Sequence, residues 1–231
     1  MKSINSICII PARGGSKRIK NKNIKNFNGK PIIHYSLLAA KKTKLFQNII
    51  VSSESKKIEN VVKKIPKVNF IRRSKKLARD NSLLRPVIKD TLINFSKNNI
   101  LPKYICYITA TAPFIKYQEI TNAYKILKKN NDINFVVSVT KFNYPILKSL
   151  RINKRGRINY WKKRYRYSLS NNIEEFYHDA GQFYWARSDA ILKDLPTFSE
   201  KTLPYLLPNY RVIDIDDNED WQKAIIMSKY L

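Results

Sequence analysis

The chain has 231 residues, 43% of them hydrophobic, which suffices for one α/β domain with a substantial core, and no apolar run approaches the roughly 20 residues that span a bilayer. Its formal charge of +28 comes from basic residues scattered in pairs such as Lys41-Lys42, Lys63-Lys64 and Lys128-Lys129 among abundant Asn and Ile. This pattern reads as compositional bias and a solvated face, with no arm, zinc site or RNA-binding aromatic motif to mark a nucleic-acid partner. Cys8 and Cys106 lie in apolar strand-like runs and Met1–Ile7 is too short in apolar residues for a signal peptide, so a reduced, cytoplasmic protein is expected.

The first element is the apolar run Ile7-Cys8-Ile9-Ile10, which breaks into Pro11-Ala12-Arg13-Gly14-Gly15-Ser16-Lys17-Arg18. A short apolar run bounded by Pro and Gly reads as a buried strand that feeds a turn at the sheet's carboxyl edge. Ligands of open α/β sheets bind at that edge. Gly14 and Gly15 let the backbone approach a ligand, a nest of N–H groups there binds anions, and Arg13, Lys17 and Arg18 add positive charge. The loop suits polyphosphate, although a solvated basic turn would have the same residues. It matches neither G-x-x-x-x-G-K-[ST] nor G-x-G-x-x-G.

Strand and helix patterns then alternate, which predicts a mostly parallel sheet covered on both faces. Pro31 to Ala40 reads as a helix, Gln47 to Ser53 as a strand, Ser55 to Lys64 as a helix and Asn69 to Arg73 as a short strand. Pro86 to Asn98 reads as a long helix, with Asn81 or Ser82 as a possible cap. A central strand, Tyr104 to Ile108, ends in the small-residue turn Thr109-Ala110-Thr111-Ala112-Pro113-Phe114. A helix over Glu119 to Lys129 and a strand over Phe135 to Thr140 follow. Residues 141–172 lose this periodicity and become aromatic and basic, as expected of a functional excursion or partner-binding arm within a single domain of residues 1–231. Order resumes in a strand at Gln182 to Ala186 and closes with Tyr210 to Asp216 and a helix over Glu219 to Tyr230.

The closing run Ile213-Asp214-Ile215-Asp216 carries the sharpest chemical signal. In a strand the two aspartates share a face, roughly 6.6 Å apart, and can converge on a divalent metal. Asp217, Glu219 and Asp220 concentrate scarce negative charge beside them. Part of that cluster also suits a helix start, with Asn218 as the cap and Glu219 and Asp220 complementing the dipole.

P-A-R-G-G-S-K-R, with Asn21-Lys22-Asn23-Ile24 and Asn28-Gly29-Lys30-Pro31, resembles the amino-terminal signature of the sugar-acid cytidylyltransferases. Arg73 to Asp80 resembles that family's R-P-x-x-L-A-x-D, with Ser74 replacing the proline, and Ile213 to Trp221 matches I-D-I-D-x-x-E-D-W. The run Tyr177-His178-Asp179-Ala180-Gly181-Gln182-Phe183-Tyr184-Trp185, together with A-T-A-P-F, resembles the pseudaminic acid branch, where sialic acid enzymes typically carry N-G-A. His178 and Asp179, being adjacent, face opposite ways on a strand, which disfavours a catalytic dyad. One departure is Leu169, where relatives have an arginine; Arg166 or Lys148 would have to take its place.

The resemblance implies a three-layer Rossmann-like nucleotide-diphospho-sugar transferase fold and transfer of CMP from CTP to a nonulosonic acid. Pseudaminic acid is the substrate expected, with N-acetylneuraminic or legionaminic acid as alternatives. It implies Mg²⁺ on Asp214 and Asp216, and a catalytic set of Arg13, Lys17, Asp214 and Asp216. It places Ala12, Arg13, Gly14, Gly15, Lys17, Asn23, Arg73, Asn81 and Ser82 on the nucleotide. The sugar falls to Thr109, Thr111, Lys148, Tyr177, His178, Asp179, Gln182 and Phe183. Residues 141–172 match the family's dimerisation arm, so a homodimer is expected, with no nucleic-acid or membrane partner.

Overall fold

The computed structural model describes residues 5–79 and 82–231, so Asp80 and Asn81 lie outside them. Strand β1 (Ser6–Pro11) is buried along almost its whole length, as a strand covered on both sheet faces must be. The two-residue strands β2 (Asn26–Phe27) and β3 (Lys30–Pro31) form a hairpin. Its turn is Asn28-Gly29, both at positive φ, the conformation a tight two-residue loop demands. Helix α1 (Ile33–Thr43), β4 (Asn48–Ser53), α2 (Lys56–Val62), β5 (Asn69–Arg72) and α3 (Leu84–Ser96) follow. Next come β6 (Tyr104–Ile108), α4 (Tyr117–Lys129), β7 (Phe135–Lys141) and a small hairpin of β8 (Leu150–Ile152) and β9 (Ile158–Tyr160). The chain ends with β10 (Tyr177–Arg187), α5 (Ser188–Leu192), β11 (Thr202–Leu206) and α6 (Asn218–Met227).

Seven strands form one sheet in the order β11-β7-β10-β6-β1-β4-β5. All neighbours pair in parallel except β10, which runs antiparallel to both β6 and β7. This is the mostly parallel, helix-covered sheet that the alternation predicts. From β1 the chain moves outward through β4 to β5, then returns to place β6 on the other side of β1. That reversal opens a crevice beyond the carboxyl ends of β1 and β6.

Alternate residues of β1 feed two core layers. Cys8 and Ile10 pack with Leu37 of α1, Ile120 of α4 and Trp185 on one face. Ile7 and Ile9 pack with Ile88 and Leu92 of α3 and Ile191 of α5 on the other. Each such buried Ile or Leu contributes about 1.5–3 kcal/mol relative to exposure. Cys8 and Cys106 stand opposite each other on β1 and β6 as free, fully buried thiols, and burial pushes both above the ordinary thiol range. A third, smaller cluster of Ile19, Phe27, Ile32, Ile215 and Trp221 sits under the loops at the carboxyl edge.

Several expectations need correction. Ile213 to Asp216 is not a strand; the segment pairs with no sheet, and Ile215 packs instead with Trp221 and Phe27. The cap of α6 is Asp217, not Asn218: its side chain accepts from the N–H groups of Glu219 and Asp220 in a capping box. Helix α3 starts at Leu84, which puts Pro86 within the first turn, and no side chain caps it, so Ser82 is not a cap. β10 begins five residues ahead of Gln182, and neither α5 nor β11 was expected.

Candidate active site

The crevice at the strand reversal is a cleft with about 770 Å³ of free space out to its open mouth. Pro11 enters it from the end of β1, Arg13 and Ser16 from the loop that follows, Arg73 from just beyond β5, and Tyr107 to Thr111 from the end of β6. Lys22, Asn23 and Ser82 complete its polar wall. Six expected residues (Arg13, Asn23, Arg73, Ser82, Thr109 and Thr111) are thus brought together, while Asn81 lies outside the described residues.

The loop after β1 is braced on several sides. Buried Asn23 donates from Nδ2 to the Arg13 carbonyl at 2.9 Å, and the Ala12 N–H donates to the Ser52 carbonyl at 3.0 Å, holding the loop's start to β4. A Cβ on Gly14 would lie 2.6 Å from the Ser55 Cβ, so packing alone requires glycine there. The Gly14 N–H does not point into an open nest as expected; it donates to Glu54 Oε1 at 2.6 Å. Gly15 and Lys17 are exposed on the same loop. The Ser16 hydroxyl is buried in the cleft wall with no hydrogen-bond partner among the described residues. Arg73 is 6% exposed and donates to the Ser52 carbonyl at 2.8 Å. Burial pulls its guanidinium below the ordinary arginine range, the Glu54 carboxylate opposes that pull, and neighbouring Arg13 adds to it.

The turn after β6 is tied to β10. The Thr109 N–H donates to the Gln182 carbonyl at 3.0 Å and its hydroxyl donates to the Gly181 carbonyl. Gly181 has φ +62 at the register shift of β10, which is where the strand bends. Asp179 is exposed, yet both its oxygens accept bonds: one from the Gly181 N–H at 2.8 Å and one from the Tyr184 hydroxyl at 2.6 Å. Tyr184 stacks on Tyr107 of the cleft wall, with centroids 4.6 Å apart. The His178 ring packs on Phe142, with Nδ1 2.9 Å from the Asp179 backbone carbonyl rather than on the Asp179 carboxylate, and exposed Tyr177 donates to Glu175.

Three expected sugar contacts are placed otherwise. Phe183 is fully buried against Tyr205 and belongs to the core. Gln182 is 3% exposed, and its amide donates to the Ala180 and Ile213 carbonyls, so it anchors the acidic segment from beneath. Lys148 sits in the excursion and donates to the Ser168 carbonyl, while Arg166 lies over the Tyr167 ring.

At the cleft rim the acidic cluster divides its work. Asp217 and Asp220 are spent on backbone N–H groups at the start of α6. Asp216 pairs with Arg18 at 3.0 Å and with Lys22 at 3.3 Å, and Lys22 also donates to the Ile215 carbonyl. For Asp216 partial burial pushes the carboxyl upward, but Lys22 and Arg18 outweigh it and the net displacement is downward. Asp214 moves the other way: the protein packed around it, then the carboxylate of Asp216, raise it above the ordinary range, with Asp179 adding to the repulsion. Lys22, which lines the cleft and holds Asp216, was not singled out from sequence, nor were Tyr107 and Glu54; their signal is tertiary.

A cleft that gathers guanidinium, ammonium and hydroxyl groups at one end and a carboxylate pair at its rim is arranged for phosphoryl chemistry. The sequence profile described as "Cytidylyltransferase" matches residues 7–200. A pseudaminic acid cytidylyltransferase of Campylobacter jejuni is 33% identical over 227 residues, covering 98% of this chain and 97% of that protein. A CMP-N,N'-diacetyllegionaminic acid synthase of Legionella pneumophila is 30% identical over 216 residues, 93% of this chain and 92% of that one. Among solved structures, a CMP:2-keto-3-deoxy-manno-octonic acid synthetase complexed with CTP superposes with a TM-score of 0.70 at 14% identity, over 98% and 99% of the two chains. This likeness in fold reaches well beyond the likeness in sequence. On this evidence the chain belongs to the cytidylyltransferase family, enzymes that transfer a nucleotidyl group from CTP.

Proposed function

We propose that this enzyme activates pseudaminic acid: CTP and the sugar acid give CMP-pseudaminic acid and pyrophosphate. The observation that carries the reading is the end-to-end likeness to the Campylobacter jejuni enzyme, over 98% of this chain and 97% of that protein. The anomeric oxygen forms a bond to the α-phosphorus, the α–β anhydride bond breaks, and the hydroxyl proton is lost to solvent or a carboxylate. Such a displacement depends on positioning and charge neutralisation rather than on a covalent enzyme intermediate. Arg13, Lys17 and the Ser16 hydroxyl would receive the β- and γ-phosphates, and their positive charge favours the departing pyrophosphate. Asn23 braces Arg13, and Arg73 with Ser82 closes the nucleotide side. Thr111 and the bent start of β10, with Tyr177, His178 and Asp179, face the sugar side.

The donor set at the rim fits a divalent cation. Asp214 and Asp216 offer hard carboxylate oxygens, and Asp214, raised first by burial and then by the carboxylate of Asp216, has the neighbouring lysine to offset only part of that repulsion. Mg²⁺ held there would neutralise charge on the α-phosphate. Lys22 and Arg18 hold Asp216 in its charged form, and Gln182 fixes the segment through the Ile213 carbonyl.

The excursion supports a homodimer. Register pairs Leu150 with Tyr160 and Ile152 with Ile158, placing four apolar side chains on one face of a hairpin exposed on both sides. A two-stranded hairpin of this kind is marginal in water without cover. Among the described residues no helix is long and apolar enough to cross a membrane, and a cytoplasmic location suits CTP-dependent synthesis.

Pyrophosphate release, measured with CTP against pseudaminic, legionaminic and N-acetylneuraminic acids, tests the assignment. The expected kcat/KM for pseudaminic acid exceeds that for N-acetylneuraminic acid by about two orders of magnitude, because a site that hydrogen-bonds particular substituents rejects sugars lacking them. Equal or better turnover of N-acetylneuraminic acid would sink the sugar assignment and leave cytidylyl transfer standing.

A further inference from the structure

Glu54 stands at the end of β4, one strand away from the loop after β1, and neither the motifs nor the mechanism above uses it. Its surroundings are unusual for one of the chain's 17 acidic residues. One carboxylate oxygen accepts the Gly14 N–H at 2.6 Å. The other is buried with no hydrogen-bond partner among the described residues, and so is Nε of Arg73 nearby. Both Glu54 and Arg13 act electrostatically on the Arg73 guanidinium, with opposite signs, and Glu54 acts on it more strongly than the other nearby carboxylate, Asp90, so it stands between two guanidinium groups that converge on one cleft.

A carboxylate on a loop N–H could be a stand-in for phosphate that nucleotide must displace. Packing argues against this. The Gly14 Cα presses on the turn between β4 and α2, where even a methyl group would meet Ser55 at 2.6 Å and Glu54 at 3.1 Å. The Gly14 backbone is wedged against Ser55 whether or not the Glu54 carboxylate moves. The Gly14 N–H therefore anchors the loop, and the groups left for the triphosphate are those of Gly15, Ser16, Arg13 and Lys17.

We propose that Glu54 is a positioning residue for the nucleotide: its carboxylate clamps the loop through the Gly14 N–H and supplies the counter-charge that lets Arg13 and Arg73 converge before CTP arrives. The inference rests on the loop after β1 being the triphosphate site of the proposed reaction. Removing the clamp frees the loop and leaves two like charges opposed, so the nucleotide must reorder both on binding.

The test compares the parent enzyme with Glu54→Ala and Glu54→Gln by steady-state kinetics, calorimetric CTP binding and thermal unfolding. Glu54→Ala should raise the KM and Kd for CTP about tenfold, the scale of one lost charge-assisted hydrogen bond, while kcat and the KM for the sugar move less than threefold. Glu54→Gln keeps an acceptor for the Gly14 N–H and should recover part of the loss. The inference is overturned if CTP affinity in Glu54→Ala stays within twofold of the parent, or if it tightens, as a displaced phosphate mimic requires. It is equally overturned if both KM values rise together with a fall in the unfolding midpoint and no rescue by Gln, the signature of a merely structural role. A parent enzyme that fails to bind CTP indicts the site assignment instead, so the two failures are distinguishable.

Discussion

Asp214 and Asp216 stand two residues apart, yet their carboxyl groups are displaced in opposite directions: burial, and after it the neighbouring carboxylates, raises Asp214, whereas two cations outweigh the burial of Asp216. Asp216 is held by Lys22 and Arg18, whereas Asp214 faces Asp216, Asp220 and Asp179 with Lys22 alone to offset them. A carboxyl raised in the fold above its unfolded value of 3.8 costs stability at neutral pH, and the cost fades as pH falls through the folded value. Asp214→Asn should therefore unfold at a temperature no lower than the parent at pH 7, and any advantage should shrink as acidification gives the parent carboxyl its proton. Its turnover should fall at least about a hundredfold, as loss of a group that serves developing charge does. Mg²⁺ with CTP should raise the parent's unfolding midpoint more than the variant's. Thermal melts at neutral and acid pH and a pyrophosphate assay check this; near-normal Mg²⁺-dependent turnover by Asp214→Asn would remove it from the site.

At the level of elements, β10 shows what the sequence could and could not reveal. Strands β1, β4, β6 and β7 are legible because apolar runs fill both faces of a covered sheet, and the residues following them fall at the cleft by topology. Arg13, Thr109 and Thr111 could be found that way. Strand β11 hides because Pro204 and a half-exposed pattern suit only an edge strand, paired on one side. Ile213 to Asp216 misleads because its alternation serves a local cluster rather than a sheet. Gln182 and Phe183 lie in a telling motif but point inward, and only the bend at Gly181 decides which residues of that run turn toward solvent. Gly181→Ala tests the bend. Nothing stands within 4 Å of an added Cβ, so the cost is conformational, about 1–2 kcal/mol for a side chain at φ +62. That should lower the unfolding midpoint by a few degrees. Because the Thr109 hydroxyl and the Asp179 carboxylate both bond to Gly181, the KM for the sugar should rise several times more than the KM for CTP. A sugar KM unchanged in a variant that has lost stability would show that the bend serves folding alone.

Over the whole molecule, charge and exposed apolar surface are distributed very differently. Lysines are spread around the surface, and exposed ion pairs such as Lys141 with Glu175 and Lys223 with Glu219 add little stability and leave the net charge to keep copies apart. Large exposed apolar side chains concentrate instead on the excursion: Tyr144 is 83% exposed, Ile152 74%, Ile158 62% and Leu169 66%. For a homodimer to form, burial of this face must outweigh repulsion between two chains of +28. The repulsion is screened by salt and the apolar term is not weakened by it. Sedimentation should therefore give a dimer at micromolar concentration whose affinity increases with ionic strength. The paired substitution Ile152→Lys with Ile158→Lys places two more charges at the centre of the apolar face, on residues directly opposite across the hairpin, where like charges repel. That variant should sediment as a monomer while keeping the far-ultraviolet dichroism and unfolding cooperativity of the seven-stranded sheet, to which the hairpin contributes no strand. A parent that remains monomeric in high salt, or a double variant that still dimerises, would assign the exposed face of the hairpin to something other than a second copy of the chain.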